Sequence, residues 1–228
     1  MTRFPSKTPD ATPARRLTRA TLGLMALVSA PAALSLVSMS APALAQSASQ
    51  SAAVTPINDL YTALKQIQSP SSGTSEARAQ IMAPVIDRIF DLSTVLHNSI
   101  GMRYTTLSTD EQTRLLAAFR QFTIARYVSS FKQGGTAQFT VNPATRPAPS
   151  GGSTIVSTTI GDGSDSATAI NYVMMPSGGG YRIVDILLNG HISQVAAQRA
   201  DFSSTLARGG ADALVTLLNR KTAKFMNN

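Results

Sequence analysis

Few side chains in this 228-residue sequence belong to types that do covalent chemistry: there is no cysteine, and the two histidines are His97 and His191. Neither histidine stands in a His/carboxylate spacing on a helix, and two isolated imidazoles do not make a metal site. No nucleophile elbow is present, and the serines cluster in low-complexity turns. Asp162 and Asp165 in "GDGSDS" lack the spacing of a calcium loop and read as a hairpin turn. The glycines of "SGGGY" precede a strand rather than a helix, so they are not a phosphate cradle. Asp185, inside an apolar strand, is the one remaining acid. It is either a buried carboxyl with a raised pKa or the partner of Arg199 or Arg126, because an unpaired buried carboxylate is costly. The residue types therefore predict no catalytic centre, no metal and no cofactor.

The elements that must position these residues begin after an export signal. Arg15, Arg16 and Arg19 precede an apolar, helix-prone run over 22–37, and Ala43-Leu44-Ala45 supplies a small-x-small cleavage site. The run contains Pro31 and several serines and falls short of the roughly 20 apolar residues that span a bilayer. The residues after Arg15-Arg16 do not suit the twin-arginine route, so general secretion is expected. Cleavage after Ala45 leaves 183 of the 228 residues, enough for one domain. Loss of Arg3, Lys7, Arg15, Arg16, Arg19 and Asp10 takes 20 Lys+Arg and 12 Asp+Glu to 15 and 11, a net charge of +4. That charge is scattered, which removes the main support for nucleic-acid binding. An exported chain without cysteine depends on core packing, which suits a periplasm.

Residues 46–55 are Ser/Ala/Gln-rich and read as a flexible lead-in, with one domain over 56–228. Ile57, Leu60, Tyr61, Leu64 and Ile67 recur at helical spacing up to the stop at 69–73. A second helix carries Ile81, Met82, Val85, Ile86, Ile89 and Phe90, with Pro84 as a possible bend. Asp91 opens a short third helix towards Gly101. Ser108 and Glu111 form a capping box at the head of a long helix that reaches Phe131, with Leu115, Phe119, Phe122 and Arg126 on one ridge and Leu116, Thr123 and Tyr127 on the next.

After Gly134-Gly135 the period becomes strand-like over 137–142, 153–160, 166–175 and 180–189, with turns at 143–152, 161–163 and 177–180. Short connections imply a four-stranded antiparallel meander. Helices over 193–206 and 211–225, separated by Gly209-Gly210, close the chain. The class is α+β: N-terminal helices, a twisted antiparallel meander, then C-terminal helices. Alternation in the last long strand puts Tyr181, Ile183 and Leu187 on one face and Val184, Ile186 and Leu188 on the other, both apolar. Either the sheet is sandwiched between helices, or part of its inner face borders a cavity.

Phe90-Asp91, Gly101, Tyr104, Gln112, Phe119 and Tyr127, followed by "INYVMM", "YRIVDILLNGHIS", "QRADF", "GGADAL" and Leu217-Leu218, resemble the MlaC or toluene-tolerance family of exported lipid carriers over most of the mature chain. "LLNGHISQVAAQR" with "GGADAL" is similar to the hopanoid-biosynthesis-associated subgroup (HpnM). The chain departs from the phospholipid-carrier pattern in having no tryptophan, with Tyr104 and Tyr181 in those places. The resemblance implies a monomeric periplasmic shuttle for phospholipid or hopanoid between an inner-membrane ABC transporter complex and an outer-membrane lipoprotein/porin complex. It implies a cavity lined by Val85, Ile89 and Phe90 of the second helix, Leu116, Phe119, Phe122 and Tyr127 of the long helix, and Ile170, Tyr172, Met174, Ile183 and Leu187 of the sheet. Arg126, Asp185 and Arg199 then serve either as a structural ion pair or at a lipid headgroup. Two other readings stay open: an exported scaffold with a filled core, and a small-molecule enzyme using Asp185 or Tyr172 in an apolar pocket.

Overall fold

The computed structural model describes residues 41–149, 151–161 and 167–227. Residues 1–40 of the export signal expected over 1–45, and the Asp162/Asp165 turn, lie outside these residues. Helix α1 (Ala41–Gln68) runs straight through the segment expected to be a flexible lead-in, and Pro56 sits inside it. The correction has a packing cause. Ala53 is buried together with Ile57, Leu60, Tyr61, Leu64 and Ile67, so the helical stripe starts earlier than its large side chains indicate.

Helix α2 (Ser75–Ile89) starts at Thr74, whose side chain accepts from the Ala77 amide, and it buries Met82, Ile86 and Ile89. Phe90 then pairs for one residue beside Ile183, and the Asp91 amide donates to the Ile183 carbonyl at 3.0 Å. Asp91 caps α3 (Leu92–Ile100), which passes through a 3-10 turn (Gly101–Thr106) into α4 (Thr109–Ser130). The Ser108/Glu111 capping box is present, each side chain satisfying the other residue's amide. Arg78 of α2 is buried with its guanidinium donating to the carbonyls of Ile67, Val128 and Phe131, which clamps α1, α2 and the end of α4 together. Desolvation lowers its pKa from the ordinary arginine value, while the three acceptors satisfy the charge.

The sheet is antiparallel in the order β1 (Gln138–Pro147), β2 (Thr154–Gly161), β3 (Thr168–Ser177), β4 (Gly180–Leu188), β5 (Ile192–Ser193). It has five strands rather than four. The added strand is two residues long, too short to show a period, and is held by pairing with Leu187 and Leu188. β1 also extends into the expected turn at 143–152. An irregularity between Val141 and Thr145 absorbs Pro143, whose missing N–H is tolerated where the ladder is already broken.

One sheet face, with Val156, Thr158, Ile170, Tyr172, Met174 and Ile183, is buried under α1, α2 and α4. On the other face Thr159, Ala169 and Met175 stay exposed, so the sheet is not enclosed on both sides. A second core forms where Leu96 and Ile100 of α3, Leu115, Phe119 and Phe122 of α4, and Phe202, Leu206, Leu214 and Leu218 of the last helix meet. That helix, α5 (Gln194–Met226), breaks at Gly209 and Gly210, the latter with φ 65° and ψ −165°. This conformation is nearly closed to residues with a Cβ. Gly210→Ala is expected to cost about 1–3 kcal/mol in urea unfolding although the added methyl meets no neighbour within 4 Å.

Candidate functional site

A cavity of about 210 Å³ lies between the covered sheet face, α3, α4 and the start of α5. Of the twelve residues expected to line it, six do: Phe90, Phe119, Phe122, Tyr127, Ile170 and Tyr172. The others take different places. Ile89, Met174 and Ile183 are sealed in the first core, Val85 packs against that core from α2, and Leu116 packs against the second. Leu187 sits opposite Asn171, on the other face of the sheet.

The error over Leu187 has a specific cause. In β4 the pairing moves from Val173↔Asp185 to Met174↔Ile183, so Val184 is an extra residue and the strand changes parity there. A β-bulge of this kind transfers every later side chain to the opposite face. Ile183 therefore shares its face with Ile186 and Leu188, which line the cavity. Leu92 and Val95 of α3, Phe131 at the end of α4, Ile160 of β2, and Val195 of α5 were also missed. Their signal is the apolar stripe of each element, which shows that a side chain faces inward and not whether it meets space or a neighbour.

The polar groups at the cavity are Thr123, Arg126 and Ser130 of α4, Asp185 of β4, and Gln194 and Gln198 of α5. The expected ion pair is not formed. Asp185 instead accepts from Ser193 Oγ at 2.5 Å and from the Val195 amide at 3.1 Å, holding the first turn of α5 against β4. Arg126 donates to Gln194 Oε1, a second tie between α4 and the start of α5. Arg199 lies outside the cavity. Its Nε and an Nη donate to the Asn98 carbonyl at 3.0 and 2.8 Å, so it fastens α5 to the end of α3 and borders a separate open groove with His97 and Arg103. Gln198, one position earlier, accepts from Ser99 Oγ at 3.0 Å on the cavity side of that seam. The carboxylate thus acts as an anchor for a helix terminus, and the arginines act as struts between helices.

Three phenols meet at the junction of α1, α4 and β3. Tyr61 Oη lies 2.5 Å from Thr158 Oγ1, which donates to the Ile170 carbonyl at 2.8 Å. Tyr172 packs edge-on to Tyr61, with ring centroids 6.1 Å apart, and its hydroxyl interacts with that of Tyr61. Tyr127 packs edge-on to Phe90 and stacks on Phe131. Burial raises the pKa of all three phenols; the nearby Tyr61 raises that of Tyr127 further, and Tyr127 and Tyr61 raise that of Tyr172. None can serve as a proton acceptor near neutrality. Such an arrangement of neutral hydroxyls and apolar walls can enclose a molecule.

The raised phenol pKa values make stability fall in alkali. Below about pH 10 both folded and unfolded chains keep the phenolic protons; above it the unfolded chain loses them while the folded chain retains them. Urea unfolding from pH 8 to 11 is expected to show a plateau and then a decline of at most about 1.4 kcal/mol per pH unit for each phenol, shallower in Tyr172→Phe.

The fold and the pattern both have counterparts. No curated protein matches the chain. The solved structure of a phospholipid-binding protein from Ralstonia solanacearum in complex with a phospholipid is similar, with TM-score 0.64 and 19% identity, covering 78% of this chain and 98% of that one. At that identity the likeness shows a shared fold. Residues 55–220 match the MlaC protein family, from the middle of α1 to the last turns of α5. By that match, over most of its length, the chain belongs to the MlaC family.

Proposed function

We propose that this protein is a periplasmic lipid carrier, shuttling phospholipid or a hopanoid-type lipid between an inner-membrane ABC transporter complex and an outer-membrane lipoprotein/porin complex. The observation that carries the reading is the cavity itself, with its aromatic and aliphatic walls between a sheet and three helices. Membership of the MlaC family and the phospholipid held by the structural neighbour support it. The export signal read from the sequence supports the compartment.

The energetics suit a shuttle. Two acyl chains with about 30 methylenes in all cost roughly 25 kcal/mol to hold in water at about 0.8 kcal/mol per methylene, so a carrier must enclose them. Relative to a bilayer the gain is near zero. Affinity from apolar area with few polar contacts permits release, whereas a strongly bonded headgroup site would trap the cargo. The cavity of about 210 Å³ is below the 300–1,000 Å³ of sites that hold drug-sized ligands, so a two-chain lipid requires the helices to part from the sheet. The ties that such a movement has to respect are the ones around α5: Asp185 to Ser193, Arg126 to Gln194 and Arg199 to Asn98.

Transfer of a fluorescent phospholipid from donor to acceptor vesicles tests the proposal. The protein from Gln46 onward is expected to accelerate transfer, and Val95→Trp, which fills the cavity from α3, to slow it about tenfold, equivalent to about 1.4 kcal/mol. Cooperative unfolding of the variant separates lost transfer from lost folding. A transfer rate equal to the spontaneous one with the unmodified protein contradicts the carrier reading.

A further inference from the structure

Resting on the carrier reading, we infer that the Tyr127 hydroxyl donates a hydrogen bond to the ester carbonyl of a diacyl lipid in the cavity, and so selects ester-linked cargo.

Apart from Ser130, which is exposed at the end of α4, the other polar side chains at the cavity are already engaged within the protein. Thr123 donates to the Phe119 carbonyl, Arg126 to Gln194, Gln198 accepts from Ser99, and Asp185 is held by Ser193 and Val195. Tyr61 is tied through Thr158 to the Ile170 carbonyl, and the Tyr172 hydroxyl interacts with Tyr61. Tyr127 differs. Its ring is fixed between Phe90, with centroids 6.0 Å apart, and Phe131, at 6.3 Å. The forces that act on its hydroxyl are burial and the nearby Arg126 and Tyr61, with no hydrogen bond among the described residues. No sealed side-chain nitrogen or oxygen among the described residues lacks a partner. A hydroxyl without a partner therefore opens onto free space, and the space that Tyr127 borders is the cavity.

Once acyl chains displace water from that space, a phenol O–H without an acceptor is penalised. The cargo must bring the acceptor. The hydroxyl is neutral and set among aromatic rings, which favours an uncharged oxygen over a phosphate. In a glycerolipid, that oxygen is the ester carbonyl, at the boundary between the chains and the headgroup. A hydroxyl on a triterpenoid lipid offers the same chemistry, and the test separates the two sources.

The measurement is competition for the full mature protein between dioleoyl phosphatidylglycerol and its dialkyl ether counterpart, which has the same headgroup and chains but no carbonyl. Bound lipid is extracted and quantified by mass spectrometry. The unmodified protein is expected to favour the ester about tenfold, and Tyr127→Phe, which keeps the ring, to bring the ratio to about one. An ester/ether ratio near one in the unmodified protein overturns the inference while leaving the carrier reading intact, and it does so even if the variant does not fold. Uptake of neither lipid overturns both. A third arm adds a hydroxylated hopanoid. If it displaces the ester lipid and loses about tenfold in Tyr127→Phe while the ester/ether ratio stays at one, the ester assignment is overturned in favour of the hydroxyl.

Discussion

Helix α4 buries side chains around more than half of its circumference: Leu115, Ala118, Phe119, Phe122, Ile124, Ala125 and Val128. A helix of this kind cannot lie on a surface, and the rest of the molecule is arranged to surround it. Its Ile124 and Val128 join α1, α2 and the sheet in one core, while Phe119 and Phe122 join α3 and α5 in the other. The cavity lies where these two cores meet, along the side of α4 that carries Phe119, Phe122, Thr123, Arg126 and Tyr127. Space survives there because Asp185, Gln194 and the α3–α5 seam hold the start of α5 at a fixed place against β4 and α3.

The polar groups near the cavity are consistent with this view. Asp185 and Arg126 border one cavity without pairing, since each has a closer partner at the head of α5. Their service is to the shape of the space.

Much of this was legible in the sequence, and the parts that were not have physical reasons. Ser108 and Glu111 declare a helix start because the capping chemistry is local, and the Gly209-Gly210 break is local too. Phe119, Phe122, Tyr127, Ile170 and Tyr172 were found because the period of an element shows which face turns inward. Ile186 and Leu188 were lost to Leu187 because the bulge at Val184 is fixed by pairing with β3, and nothing within β4 announces it. The partner of Arg199, left open between Asp185 and a headgroup, was out of reach for a related reason. Its acceptor is the carbonyl of Asn98, a backbone group that every residue carries and that no side-chain pattern can reveal.

The central claim is that the space beside α4 holds lipid. Native mass spectrometry of the protein from Gln46 onward, isolated from a periplasm without detergent and followed by organic extraction, tests it most directly. The account predicts a stoichiometric adduct whose mass identifies a phospholipid or a hopanoid. A bare polypeptide mass, unchanged after incubation with vesicles of both lipid types, contradicts it and leaves an exported scaffold as the better description.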